Sequence, residues 1–349
     1  MDFPPLLLLS CAVGLALPAR AEKIVLVAGG AETRDGAPAV LAKLKEPFGL
    51  GFDPAGLLLI VEFTGGRLLR VDANGGLVRI AGQATPGDIG DGGPPRLAQF
   101  DGPHNLAVLP GGAVLIGDTW NGRVRRVDLA ADRVTTVPGF AVSVAESHRA
   151  GPYCIALDPA GERLFIADLT RIHEVDLKTG RSKIVAGNGA KGIPADGALA
   201  TEAPLADPRA VAADRHGNLY ILERNGHALR VVGRDGRIRT VVNASGEKGA
   251  GGDGGDARLA KLNGPKHLCV DRDDNVIIAD AENNLIRKYV PATGKILRVA
   301  GTGKAGAAGL GGAPAECELN RPHGVAIHPD GTLYIADSYN DRVLKITGP

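Results

Sequence analysis

The stretch LNRPHGVAIHPDGTLYIADSYNDRVLKI (Leu319–Ile346) holds three short aliphatic runs, Val325 to Ile327, Leu333 to Ala336 and Val343 to Ile346. His-Pro-Asp-Gly at 328–331 parts the first two: proline presets φ and glycine accepts the positive φ of a tight turn, so these runs form a hairpin. Asp337-Ser-Tyr-Asn-Asp341 parts the second and third, and its Asp and Asn side chains can bond nearby backbone N–H groups to close another. The result is a three-stranded meander, which alone would leave both faces wet and be marginally stable. It requires neighbours.

The same pattern begins at Pro47, Pro103, Pro152, Pro208, Pro265 and Pro322, and the acidic residue ending the second run recurs as Glu62, Asp118, Asp168, Glu223, Asp280 and Asp337. Two landmarks that keep step through six copies define a repeat protein. A fourth apolar run follows each copy except the last: Leu77 to Ala81, Val134 to Pro138, Ile184 to Ala186, Ile238 to Val242 and Ile296 to Ala300. The missing run is at the other terminus, where Lys23-Ile-Val-Leu-Val-Ala-Gly29 reads like Lys295-Ile-Leu-Arg-Val-Ala-Gly301. This predicts an all-β fold: a six-bladed β-propeller of four-stranded antiparallel blades, its last blade completed by the N-terminal strand.

The run from Pro322 to Val343 resembles the NHL repeat, and the lead-in Gly251-Gly-Asp-Gly-Gly-Asp-Ala257 resembles the connections between NHL repeats of bacterial secreted proteins. The resemblance covers the whole chain after its leader. It implies the propeller fold but no single activity, because NHL propellers serve as scaffolds, RNA binders and enzymes.

Leu6 to Leu17 is an apolar run too short to span a bilayer, followed by Ala19-Arg-Ala21, which fits a signal-peptidase site. Residues 1–21 are therefore expected to be a signal peptide and 22–349 a single exported propeller domain, although Asp2 stands where a basic residue is usual. Leu8-Leu-Ser-Cys11 leaves a lipoprotein anchor at Cys11 as the minor alternative. The formal net charge of +1 lacks the basic excess of a nucleic-acid binder. After the leader, Cys154, Cys269 and Cys317 are an odd number on separate blades, which argues for small buried side chains and against a disulfide framework.

If the first strand of each blade starts at a top face, the acidic loops and the long glycine-rich connections, such as 81–102 and 301–321, return to that face. Function usually collects on such loops. The residue after each anchoring proline, Phe48, His104, Tyr153, Arg209, Lys266 and His323, is expected at the rim of the central channel. Trp120, the lone tryptophan, sits in the blade 2 acidic loop, either as a ligand platform or packed over a neighbouring loop. The acidic residues themselves recur in every copy, so they serve the repeat by bonding loop backbone.

Three histidines from separate strands can hold zinc through neutral nitrogens and leave an open position. The set also resembles that of the NHL-type peptidyl-hydroxyglycine amidating lyase. That resemblance implies His104, His267 and His323 as metal ligands, Tyr153 as general base and Arg209 as anchor of a substrate carboxylate. His267, however, falls one position later in its repeat, and adjacent strand residues point opposite ways. The bland reading makes these histidines polar rim residues bonded to water or loop carbonyls. Gly251-Gly-Asp-Gly-Gly255 could take calcium, with only one carboxylate nearby. No G-x-S-x-G, H-E-x-x-H or phosphate-loop motif occurs.

Two functions follow. The first is an exported, monomeric binding scaffold with no transmembrane segment, which takes a small molecule, glycan or protein on its top face and no nucleic acid. The alternative is a metal-dependent lyase or hydrolase resembling the amidating lyase or virginiamycin B lyase. A gluconolactonase-like site would need acidic and amide ligands, of which the rim offers only Asn105.

Overall fold

The computed structural model describes residues 21–31 and 37–348. The expected leader and the alternative anchor at Cys11 lie outside the described residues, save Ala21. Blade 1 comprises Pro47–Phe52, Leu58–Glu62, Arg67–Val71 and Leu77–Ala81; blade 2, Pro103–Val108, Val114–Asp118, Arg123–Asp128 and Arg133–Ala141; blade 3, Cys154–Leu157, Arg163–Ala167, Ile172–Asp176 and Ser182–Ala186. Blade 4 comprises Pro208–Ala213, Leu219–Glu223, Ala228–Val232 and Ile238–Val242; blade 5, His267–Val270, Val276–Asp280, Leu285–Val290 and Lys295–Ala300; blade 6, Gly324–Ile327, Leu333–Asp337, Arg342–Thr347 and the N-terminal Lys23–Gly29. The N-terminal strand pairs antiparallel with Arg342–Thr347, Ile24 opposite Ile346 and Leu26 opposite Leu344, so the expected clasp closes the ring.

The core lies between blades. Apolar clusters fill the junctions of neighbouring blades, for example Leu59, Val61, Leu106 and Ile116 between blades 1 and 2, and Ile277, Ile286, Val325 and Ile335 between blades 5 and 6. Most second strands are covered on both faces: Leu58–Glu62 and Val276–Asp280 are buried at every position. That is why these segments read as continuous aliphatic runs where a one-sided sheet would alternate. Cys154, Cys269 and Cys317 are free thiols.

The repeated acidic residues are buried, Glu62, Asp118, Glu223, Asp280 and Asp337 completely. In five blades the carboxylate accepts the backbone N–H seventeen positions earlier, from Lys45 to Glu62, Asp101 to Asp118, Ala206 to Glu223, Asn263 to Asp280 and Asn320 to Asp337, at 2.7–2.8 Å. Each bond ties the chain entering a blade to that blade's second strand. Blade 3 has the shorter loop, and there Asp168 accepts the N–H groups of Thr170 and Arg171 instead, with His173 at 2.8 Å. Elsewhere the balancing charge is an arginine of the third strand, as in Arg230 against Glu223 (2.8 Å) and Arg342 against Asp337 (2.7 Å). Asn121, Asn283 and Asn340 bond the same acids and also the carbonyls of Gly87, Gly249 and Gly306, which places the acidic loops and the glycine-rich connections on one face.

The strands leave one surprise, a short helix over Val144–Ala150 between blades 2 and 3. It replaces a glycine-rich connection where the repeat step is shortest, and ends at Gly151, whose N–H bonds the Ser147 carbonyl (2.7 Å).

Two stability predictions follow from closure and from the buried acids. Ile24→Ala should cost roughly 2–5 kcal/mol in urea unfolding of the whole domain, and a chain begun at Gly30 should melt far below one begun at Glu22; equal melting would contradict closure by the clasp. Glu223→Ala, which removes the carboxylate paired with the buried Arg230 at 2.8 Å, should cost about 3–5 kcal/mol by the same measurement, whereas a cost typical of a surface residue would show that the carboxylate is dispensable.

Candidate ligand site at the channel mouth

The rim residues are brought together. A bulge in the first strands of blades 1, 2 and 4 lets Phe48, His104 and Arg209 leave the ladder at its top while Gly49, Asn105 and Ala210 stay in register. In blades 3, 5 and 6, Tyr153, Lys266 and His323 precede the strand, each held by an N–H bond to its second strand. Phe48 stacks on His323 (centroids 4.1 Å) and on Phe63 (4.5 Å), and meets His104 edge-on at 5.5 Å. His104 meets Tyr153 at 4.8 Å, and the Arg209 guanidinium lies over the Tyr153 ring at 4.2 Å.

The expected three-histidine metal set does not form. His104 and His323 flank Phe48 at the rim, but His267 sits one level down with Asn105, where the register puts it. His267 Nε2 lies 2.7 Å from Asn105 Nδ2, and because blades 2 and 5 face each other this pair spans the channel. Among the described residues no group of three or more His, Cys, Asp or Glu side chains could hold a metal ion. The residues therefore do not fit the three-ligand centre. Nor does the glycine-rich loop offer calcium a free carboxylate, since Asp253 pairs with Arg287 at 2.8 Å.

His104 and His323 each place Nδ1 2.7 Å from a backbone carbonyl, of Gly102 and Arg321. That bond fixes the proton on Nδ1 and leaves the lone pair on Nε2. Burial, reinforced by nearby Arg209 and Lys266, holds both imidazoles well below the ordinary histidine pKa. Burial likewise lowers His267 to about 4. Tyr153 is not arranged as a base: its hydroxyl donates to the His148 carbonyl (2.8 Å), and burial raises its pKa.

Opposite the rings stand the cations. Arg224 is taken by Asp207 (2.5 Å), and Glu282 is shared between Arg321 and Lys266, at 3.4 Å from the latter. Burial, then Arg209, lowers Lys266 to about 8.

The mouth holds residues that the repeat pattern did not single out: Phe63, Arg224, Glu282 and Tyr339 from acidic loops, and His148 from the helix. Their signal was present, since large dissimilar residues follow an acid that recurs in every copy. Trp120 packs on Gly102, where φ is +54° and an added Cβ would stand 2.5 Å from the indole. It also meets Phe63 at 5.0 Å and His148 at 5.2 Å. Cavities lie elsewhere, among them one of about 500 Å³ beside Ile277 and Leu333. One of about 960 Å³ runs between blades 2 and 3 beside Leu109 and Pro138, and one of about 430 Å³ fills the lower channel beside Leu106 and Val211.

With fold and site described, comparison with known proteins defines the class. The teneurin NHL domain matches residues 90–249, and the NHL repeat matches 262–289 and 319–346. The chain is an NHL-repeat β-propeller. Human teneurin-1 is 23% identical over 346 residues, covering 73% of this chain and 12% of teneurin-1. NHL repeat-containing protein 2 of Bos taurus is 25% identical over 327 residues, covering 82% and 44%. The chain thus spans less than half of either relative. Among solved structures, an auxiliary nutrient binding protein of Bacteroides thetaiotaomicron superposes with TM-score 0.69 at 14% identity, over 94% of this chain and 76% of that one. A catalytically inactive virginiamycin B lyase of Staphylococcus aureus gives TM-score 0.55 at 13% identity, over 93% and 99%. At these identities the structural likenesses establish fold alone.

Neutral burial of three histidines carries a pH signature. Their folded pKa values lie below the unfolded value near 6.5, so the unfolded state takes up protons first. Their stabilising contribution is complete above about pH 6.5 and is lost as pH falls toward 4 and below. Each histidine therefore contributes a decline of up to roughly 1.4 kcal/mol per pH unit on acidification, opposed by the buried carboxyls Asp118 and Asp280, which burial raises to about 6 and about 7. The wild type should lose more unfolding free energy from pH 7 to 4 than His267→Gln, and parallel profiles for the two would contradict neutral burial of His267.

Proposed function

We propose that the chain is an exported recognition propeller that binds a small molecule at its channel mouth. The supporting observation is the gathering of rings there: Phe48, Phe63, Trp120, Tyr153 and Tyr339 beside His104, His148 and His323, in a chain with 4% aromatic residues. Such rings supply apolar area with little side-chain entropy to lose, and binding sites use them with a few placed polar groups. Tyr339 is 40% exposed, so the wall is open to solvent.

Further support is circumstantial. The apolar run and Ala19-Arg-Ala21 fit export, no helix among the described residues is long and apolar enough to cross a membrane, and a structural neighbour is named a nutrient binding protein. The near-zero charge speaks against nucleic acid. The lyase reading has less support, because the third histidine stands apart and Tyr153 keeps its proton.

A thermal-shift screen of the mature protein against metabolites tests this. A ligand present at 100 times its Kd stabilises by about 2.7 kcal/mol, which a melting curve resolves. Hits should lose their shift in Phe63→Ala and Tyr339→Ala, which remove loop rings without touching the blade core. Shifts that survive both substitutions would place the site elsewhere, and a screen without hits that move with these variants would defeat the mouth as the binding site.

A further inference from the structure

The charge balance of the mouth has one gap. The buried arginines Arg125, Arg230, Arg287 and Arg342 each lie against a carboxylate, at 2.8 Å from Asp91, Glu223 and Asp253 and 2.7 Å from Asp337. Arg209 is nearly as enclosed, 6% exposed, but no carboxylate among the described residues pairs with it. Its guanidinium lies on the Tyr153 ring, and its Nη1 is buried with no hydrogen-bond partner among the described residues. The nearby acid, Asp207, is occupied by Arg224. Lys266 adds a second cation, its side chain 8% exposed and its Nζ 3.4 Å from a Glu282 that also serves Arg321. A buried charge without a partner is costly, and protein interiors normally supply a counter-charge. For Arg209 no described residue supplies one in contact.

Resting on the reading of the mouth as a binding site, we infer that its ligand is a small aromatic carboxylate whose anionic group completes Arg209 and Lys266. The geometry dictates both halves of that description. The planar guanidinium can pair bidentately with a carboxylate, and Lys266 adds a point charge beside it. The ligand's body then faces the Phe48, Phe63 and Tyr339 side of the rim, which rewards an aromatic group. His104 and His323 present Nε2 lone pairs, which accept from a hydroxyl or amino group on the ligand. Inorganic phosphate would satisfy the cations but leave the rings without a partner.

Two measurements on the mature protein decide this. Calorimetric titration with benzoate, phenylacetate and indole-3-acetate is compared with their primary amides and with inorganic phosphate. At least one carboxylate should bind ten times or more tighter than its amide and than phosphate, and Arg209→Gln should erase that preference. The second measurement needs no ligand. Arg209→Met should melt as high as the wild type or higher, because it removes an unpaired buried charge, whereas Arg287→Met, which strands Asp253 and Asp280, should melt lower. The inference is overturned if no carboxylate binds, if amide or phosphate binds equally well, if the preference persists in Arg209→Gln, or if Arg209→Met is as damaging as Arg287→Met. Neutral metabolites that still lose their shift in Phe63→Ala would then keep the mouth as the site with a different ligand class, while loss of every mouth-dependent hit would remove the broader reading as well.

Discussion

Pairing of Lys23–Gly29 with Arg342–Thr347 is the contact on which the other features depend. A propeller blade buries its apolar surface against the blades beside it, so a ring left open would expose two such faces. Closure brings Ile24 and Ala28, both fully buried, into blade 6, and further bonds join blade 6 to blade 1: Glu46 N–H to Asp341 (2.7 Å) and Ser338 Oγ to the Pro47 carbonyl (2.7 Å). Closure also fixes how near the six first strands stand to one another, and it is this convergence that gathers the six rim positions, one from each blade, at the mouth.

Within that ring the carboxylates divide the labour. Those of the second strands are enclosed with arginines and asparagines and hold each incoming connection to its blade. Their burial penalises the charged form, lifting Asp118 to about 6 against the pull of its hydrogen bonds and arginines, so they stabilise only while those partners are in place. At the mouth the balance is reversed, with cations outnumbering the acids available to them. Buried arginines in several blades each have a carboxylate, and Arg209 has none among the described residues; that contrast is the basis of the inferred anion site.

The repeat made the fold legible. Two landmarks in six copies set the blades, and the strand missing from the last copy was recognisable from Lys295–Ala300. It also located the rim, since a residue at one place in every repeat must lie on one ring. What the repeat could not convey is how a neighbouring position turns. His104 and Asn105 are adjacent, and only the bulge between Pro103 and Asn105 decides that one faces the mouth and the other spans the channel to His267. Nor could it convey which loop residues fold inward, because Phe63, Tyr339 and His148 are placed by packing outside the repeated ladder. The arginine partners of the buried acids were likewise missed, although Arg125, Arg230 and Arg287 occupy the same step of the third strand.

The account centres on a closed ring whose mouth joins an aromatic wall to unbalanced cations. A crystal structure of residues 22–349 grown with indole-3-acetate tests it most directly. The account predicts the carboxylate between Arg209 and Lys266 and the indole against the Phe48 and Phe63 side of the rim. Ligand bound in the lower channel or between blades 2 and 3, with the mouth empty, would contradict it.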